Sequence, residues 1–204
     1  MKPKLVVYGA GVMGSAVATG YRDQGTLSEF DLIGFIDNNK SGSWVGFPIL
    51  GKEDRLPSLR EGGVENIIVA ISDHSIRPEL CSKLEKAGYS FPTVSPVLPK
   101  EVKIGRGCLV DSSAVFLGIN QEVGDFCVIG PQAVIEGESK LSMGVYLCPH
   151  TFIGAYSQVG EGTVFYPFSG CKPYVRVGKN CVIGPQVFLR KNLEDGKKKL
   201  ADRR

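Results

Sequence analysis

The sequence predicts an α/β plus all-β protein: a small Rossmann-like parallel sheet, followed by a parallel β-helix built from hexapeptide repeats. Three observations carry this. Short apolar runs alternate with amphipathic segments over the first ninety or so residues, the mark of strands joined by helical crossovers. From about Lys103 onward an apolar residue recurs at every sixth position. Finally, 26 of the 204 residues are Gly, well above an average of about 7 %, so the backbone needs tight turns repeatedly.

In chain order, Leu5-Val-Val-Tyr8 reads as a strand, Ser15 to Gln24 as a helix and Leu32-Ile-Gly-Phe-Ile36 as a second strand. Ile67-Ile-Val-Ala-Ile71 is a third strand, and Ile76 to Ala87 a helix with Leu80, Leu84 and Ala87 on its apolar face. Beyond this, every sixth residue from Val123 is apolar: Val123, Ile129, Ile135, Leu141, Leu147, Ile153, Val159, Phe165, Cys171, Val177, Ile183 and Leu189. Four places after an anchor stands a small or β-branched residue such as Cys127, Ala133, Ser139 or Thr163. A helix would repeat near 3.6 and a two-faced strand at 2, whereas a six-residue period fits a β-helix with one inward anchor per face. Ile104, Val110 and Phe116 extend the register upstream, after which one extra residue shifts it. Three hexads per coil give roughly five coils over 104–189. The expected domains are 1–95, 96–190 and a basic tail, 191–204, read as a short helix or a solvated terminus.

The formal charge of +3 comes from 24 basic and 21 acidic residues, with the surplus gathered in 190–204, so no nucleic-acid footprint is expected. Neither a leader peptide nor a membrane span is evident, and a soluble cytoplasmic protein is the expectation. The six cysteines (Cys81, Cys108, Cys127, Cys148, Cys171 and Cys181) form no CxxC pair, which argues against disulfides and a thiolate zinc site. Cys108, Cys127 and Cys181 fall on the small inward position and read as packing residues. Tyr146, Tyr156, Tyr166 and Phe168 are expected to face outward and offer contact area for assembly.

Gly9-Ala-Gly11-Val-Met-Gly14 follows the first strand and opens the first helix, a context in which backbone N–H groups approach a phosphate. Asp37 ends the next strand, where a ribose hydroxyl could be accepted. Three readings stand: NAD(P), a sugar nucleotide, or glycines that only allow close strand-to-helix packing. Fewer than about 95 residues precede the repeats, short of the two mononucleotide halves of a dinucleotide fold, so a sugar nucleotide is preferred.

With those motifs in place the chain resembles the hexapeptide-repeat acyltransferases that act on nucleotide-linked amino sugars or sialic acid. The resemblance runs from residue 4 to about 190. Its N-terminal elements are Val7-Tyr-Gly-Ala-Gly-Val-Met-Gly14, Gly34-Phe-Ile-Asp-Asn38 with Gly46-Phe-Pro-Ile-Leu-Gly51, and Val69-Ala-Ile-Ser-Asp-His-Ser-Ile-Arg77. It implies a left-handed β-helix using acyl-CoA (acetyl-CoA) as co-substrate, a nucleotide-sugar acceptor on Gly9, Gly11, Gly14, Asp37, Asn38 and Ser72, and a homotrimer. Pantetheine would run past Gly154, Ala155 and Gly184.

The transfer needs a base near neutral pH, for which His is suited. In Val134-Ile-Glu-Gly-Glu-Ser139, Gly137 stands where the family has its His, and Glu138 matches the acid that orients it. Ser95-Pro96 and Tyr146 replace two further family His positions. Only His74 and His150 exist in the chain, so His150 is the expected catalytic base and Glu138 the second catalytic candidate, although hexad starts 12 residues apart place His150 and Gly137 on different prism faces; Glu136 is a further carboxylate alternative. Zinc held by three His, as in β-helical carbonic anhydrases, has only one His available in this domain, and no metal is expected. The alternative function is a catalytically impaired sugar-nucleotide-binding or scaffolding protein of the same fold.

Overall fold

The computed structural model describes residues 1–201 and divides into two compact units, Met1–Val94 and a second beginning at Ser95. In the first unit, β1 (Lys4–Tyr8), β2 (Asp31–Ile36), β3 (Ser43–Trp44), β4 (Phe47–Gly51) and β5 (Asn66–Val69) form one sheet in the order β3-β4-β2-β1-β5. α1 (Val12–Gln24), α2 (Leu56–Glu61) and α3 (Arg77–Lys86) complete it. β1 is central and parallel to both β2 and β5, with Tyr8 level with Ile36 on one side and Val69 on the other. Leu5, Val6, Val7, Phe35, Ile36 and Ile67 are fully buried, as near-continuous apolar runs covered on both faces should be.

The sheet is not wholly parallel, which corrects the expectation. β3 and β4 form an antiparallel hairpin at its edge, joined by Val45 and Gly46, both with positive φ (44° and 89°). That two-residue turn matches the strand twist but ordinarily recruits Asn-Gly or Asp-Gly. The β-branched Val45 hides the signal. β4 and α2 were likewise not anticipated, and α1 starts at Val12 rather than Ser15.

The described residues of the second unit form a parallel β-helix of sixteen short strands on three faces. One face carries β7 (Leu109–Val110), β10 (Val128–Ile129), β13 (Tyr146–Leu147), β16 (Val164–Phe165), β19 (Val182–Ile183) and β21 (Lys198–Lys199). The second carries β8 (Val115–Leu117), β11 (Val134–Glu136), β14 (Phe152–Ile153), β17 (Gly170–Cys171) and β20 (Phe188–Leu189). The third carries β6 (Lys103–Ile104), β9 (Glu122–Val123), β12 (Lys140–Leu141), β15 (Gln158–Val159) and β18 (Arg176–Val177). Val128 pairs with Tyr146, Val134 with Phe152 and Lys140 with Gln158, an 18-residue coil. All twelve anchors from Val123 to Leu189 are buried.

The corners explain why six is the period. Phe126, Gln132, Glu138, His150, Tyr156, Phe168, Tyr174, Asn180 and Gln186 all have positive φ, and Gly144 and Gly162 fill the two remaining steps. A left-handed conformation costs a non-glycine residue on the order of 1–2 kcal/mol. Each of these corners is held by its N–H donating to an oxygen of the preceding coil: a carbonyl in most cases, as Glu138 does to Ile119, His150 to Pro131 and Tyr156 to Gly137, and the Ser113 hydroxyl for Gln132. Just past the corners, small inward side chains donate to the next coil: Cys108 Sγ to Gly124 O, Cys127 Sγ to Ser142 O, Ser139 Oγ to Gly154 O, Ser157 Oγ to Lys172 O and Thr163 Oγ1 to Gly178 O. The cysteines therefore do the work of Ser and Thr in a packed interior.

Two coils depart from 18. The first contains an extra residue, so Leu109 pairs with Val128 and Val115 with Val134; the bulge falls at Gly118-Ile119, and the buried Gln121 Nε2 donates to Leu117 O across it. The last is short: Val182 pairs with Lys198, and Leu193 bridges to Val177. Cys181 Sγ donates to Glu194 O, while the side chains of Asn192 and Asp195 accept from the N–H groups of Arg176 and Lys179. The tail is thus neither a helix nor a detached terminus over its described residues, because the neighbouring coil leaves donors that it satisfies. Arg203 and Arg204, part of the predicted basic run, lie outside the described residues.

Two stability predictions follow from this packing. Ile153→Ala removes a fully buried anchor and should cost about 2–5 kcal/mol in chemical denaturation. Truncation after Arg190 should lower the thermal midpoint, whereas an unchanged midpoint would mean that the last coil contributes nothing.

Candidate functional site

The carboxyl ends of β1, β2 and β5 bring Gly9–Gly11, Asp37–Asn38 and Ser72 to one end of the first sheet, the end at which open α/β sheets bind ligands. The three glycines do different things. A Cβ on Gly9 (φ +110°) would lie 2.7 Å from Ala70 O, and one on Gly14 only 2.0 Å from Gly9 O. Those two serve close packing. Gly11 has nothing within 4 Å of the position its Cβ would take; it caps α1 without a side-chain hydrogen bond and is exposed. It is the glycine that leaves room for a ligand beside the first-turn N–H groups, which have no acceptor within the helix.

Asp37 braces this turn. Its Oδ2 accepts the Ala10 N–H at 2.8 Å, and its Oδ1 accepts those of Asn39 (2.8 Å) and Lys40 (3.1 Å). Burial works to raise its pKa, but the three N–H donors and the Lys40 charge outweigh burial and hold it below the usual carboxylate range. One of about four lone-pair sites on the carboxylate remains for a ribose hydroxyl. Asn38 is more fully committed: its Oδ1 accepts from Glu53 N and its Nδ2 donates to Tyr8 Oη. Tyr8 in turn donates to Glu53, which also pairs with Lys83. Burial and then the Glu53 carboxylate push the Tyr8 phenol above its ordinary value, so it stays a neutral donor. Ser72 is exposed, and His74 lies in the turn before α3 that Asp73 closes through Ser75.

Two residues at this end belong to no motif in the sequence. Lys40 Nζ donates to Ala10 O and sits 3.5 Å from the centroid of Trp44, the only Trp in the chain. Trp44 Nε1 donates to Ser15 Oγ at 2.8 Å, and Ser15 Oγ donates to Gly11 O at 2.9 Å. The position of Lys40, three residues past Asp37, was the only clue; Trp44 reaches the turn through the hairpin that Val45 disguised.

In the β-helix, His150 and Glu138 both occupy left-handed corners, but different ones. His150 lies between β13 and β14, Glu138 between β11 and β12. Within one chain they are not brought together. His150 is exposed and stacks on Phe168 of the next coil, centroids 4.5 Å apart and rings within 8° of parallel. Glu138 Oε1 accepts from Asn120 Nδ2 at 2.8 Å, below a stacked Tyr156–Tyr174 pair. At Gly137 a Cβ would stand 3.1 Å from Ile119 O and 3.2 Å from Ile119 N. The extra residue of the first coil therefore crowds the position where the resemblance places a His.

At Gly154, Ala155 and Gly184, where pantetheine is expected to run, the backbone N–H groups are engaged within the chain. Gly154 N donates to Cys171 O, Gly184 N to Lys199 O, and Ala155 N to Glu136 Oε2 at 2.9 Å. The two glycines exist for coil stacking, since a Cβ on Gly154 would lie 2.3 Å from Pro173 N. Only Ala155 N–H is held by a side chain that can let go.

Comparison with known proteins agrees with this anatomy. Residues 4–84 match the PglD N-terminal domain. A bifunctional protein GlmU of Heliobacterium modesticaldum is 34 % identical over 82 residues, 40 % of this chain and 17 % of its own length. An acyl-[acyl-carrier-protein]--UDP-N-acetylglucosamine O-acyltransferase of Rickettsia peacockii is 36 % identical over 80 residues, 36 % of this chain and 28 % of its own. The chain thus spans well under a third of either relative. Among solved structures, a GDP-perosamine N-acetyl transferase of Caulobacter crescentus in complex with CoA and GDP-perosamine superposes with a TM-score of 0.88 at 24 % identity, covering 97 % of this chain and 93 % of that one. The acetyltransferase domain of PglB from Neisseria gonorrhoeae, in complex with acetyl coenzyme A, gives 0.87 at 23 % identity, covering 98 % and 97 %. The fold is therefore a glycine-turn α/β domain followed by a left-handed β-helix of hexapeptide repeats. Over residues 4–84 the chain is similar to the PglD N-terminal domain, and along nearly its whole length it shares the fold of those two solved acetyltransferases.

Gly14→Ala should disrupt folding, while Gly11→Ala should leave the thermal midpoint within about 1 °C and weaken nucleotide binding; equal effects on folding would refute the division of labour. Because the Asp37 pKa is depressed on folding, its contribution to stability is present above about pH 3.9 and lost as pH falls through the lower folded value. The midpoint difference between wild type and Asp37→Asn should shrink over that acid range.

Proposed function

We propose that this protein transfers an acyl group, acetyl in the first instance, from acyl-CoA to the amine or hydroxyl of a nucleotide-linked sugar in glycan synthesis. The observation that carries the reading is the pairing, in one chain, of a PglD-type glycine-turn domain with a hexapeptide β-helix, the arrangement shared with the Caulobacter crescentus protein solved with CoA and GDP-perosamine. The acceptor binds at Gly9, Gly11, Gly14, Asp37, Asn38 and Ser72, with Gly11 giving the open approach. Acyl-CoA lies along the β-helix past Gly154, Ala155 and Gly184. The acceptor nitrogen or oxygen attacks the thioester carbonyl, a C–N or C–O bond forms, the C–S bond breaks, and the CoA sulfur leaves as the base takes the acceptor proton. His150 is the proposed base and Glu138 its acidic partner. Since they stand on different corners of one prism, a shared site draws on a second copy of the chain.

A homotrimer in the cytoplasm is part of the proposal. The faces of the prism differ in a way that favours self-association. One presents Lys103, Glu122 and Lys140, linked by ion pairs of 3.5 and 3.0 Å, with Arg176 further on. The second presents Val115, Phe152 and Phe188, and the corners beside it leave Phe168, Tyr156 and Tyr174 exposed. An apolar surface of this kind is what subunits cover. No helix among the described residues is long and apolar enough to cross a membrane.

The alternative, a sugar-nucleotide-binding protein without turnover, is favoured by two contacts: the crowding at Gly137 and the hold of Glu136 on Ala155 N–H. Incubation with acetyl-CoA and a panel of UDP-, GDP- and CMP-linked amino sugars should release free CoA thiol with at least one of them. His150→Gln should then lower kcat by about 100-fold or more. Binding of a sugar nucleotide without thiol release would leave the alternative standing.

A further inference from the structure

We infer that Lys40, held over the ring of Trp44, is the cation that binds the phosphates of the acceptor, and that it selects nucleoside diphosphates over bare nucleosides. The inference rests on the proposed nucleotide site at the glycine turn and adds to it a residue that no motif contains. Lys40 is an exposed side chain, yet it is held in place from three directions. Its Nζ donates to Ala10 O, lies 3.5 Å from the Trp44 centroid, and contributes to holding down the pKa of Asp37.

An exposed lysine ordinarily keeps its rotamers and its water. Here the Trp44 face holds the ammonium by cation–π attraction. Trp44 is itself fixed through Ser15 Oγ to Gly11 O, on the open glycine. The charge therefore stands at the same turn whose open space and first-turn N–H groups suit an anion. An ammonium has three donors and Ala10 O takes one, so donors remain for phosphate oxygens. Asp37 already accepts three N–H groups at the same turn, so the ammonium is left free of a hydrogen bond to it.

Trp44, as the only Trp, reports on this site by its own fluorescence. UDP, GDP and their parent nucleosides should be titrated into wild type, Lys40→Met, Lys40→Arg and, as an exposed control, Lys86→Met, with calorimetry on the same samples. The tighter-binding diphosphate should change the Trp44 emission of wild type. Lys40→Met should weaken it by about 10-fold or more, the size of a charge-assisted hydrogen bond, and move nucleoside binding by less than about 2-fold. Lys40→Arg should recover part of the loss, and Lys86→Met should behave as wild type. Equal diphosphate affinity in wild type and Lys40→Met would overturn the assignment while leaving the nucleotide site intact. Parallel losses of nucleoside and diphosphate would overturn it as well, reducing Lys40 to a strut of the loop. Failure of wild type to bind either diphosphate would overturn both the assignment and the site.

Discussion

Each coil of the β-helix hangs from the one before it by hydrogen bonds that close only when the backbone enters the left-handed region at every sixth residue. That requirement sets the rest of the domain. It fixes which residues point inward, and it obliges side chains such as His150, Glu138, Tyr156 and Phe168 to stand at corners, the three rings stacked on neighbours one coil away and Glu138 hydrogen-bonded to Asn120. The strain of the non-glycine corners from Phe126 to Gln186 persists because the N–H of each finds an oxygen on the adjoining coil. Chemistry placed on such a corner inherits a fixed address, but it also faces outward, away from the anchors that fill the interior.

The β-helix was legible because its signal is collective. A single buried Ile says little, whereas twelve anchors in one register leave no other periodic structure. Hydrogen-bonding cysteines were legible as packing for the same reason. The hairpin was not: its turn needs two positive φ angles, and Val45 is a residue that physical reasoning assigns elsewhere. Nor was the tail, whose composition is that of a solvated end but whose Leu193, Asn192 and Asp195 answer donors and apolar surface left by the coil before it. Composition describes a segment alone, and here the partner decides.

The functional end of the first unit was half legible. Gly9, Gly11 and Gly14 were found as a set, but the spacing could not separate two packing glycines from the one that stays open. Asp37 was found for a hydroxyl and proves to hold the turn first, with one acceptor position in reserve. Lys40 and Trp44 escaped because what joins them is a contact across a ring, and no pattern in sequence encodes that. In the second unit, Gly137 was noticed as a missing histidine; its physical reason is the adjacent backbone at Ile119, which leaves little space for a side chain.

The nineteen-residue first coil bears on how the chain finds its register. Hexapeptide coils are nearly copies of one another, so a stack could pair one coil too early or too late and still bury apolar anchors on every face. The inserted residue at Gly118 abolishes that translational symmetry. Only one alignment lets Asn120 meet Glu138, gives Gln121 the carbonyl of Ile135 and sets Lys103 beside Glu122. An irregularity that looks like a flaw in the repeat is thus a fiducial mark: it makes one of several near-degenerate pairings the ground state.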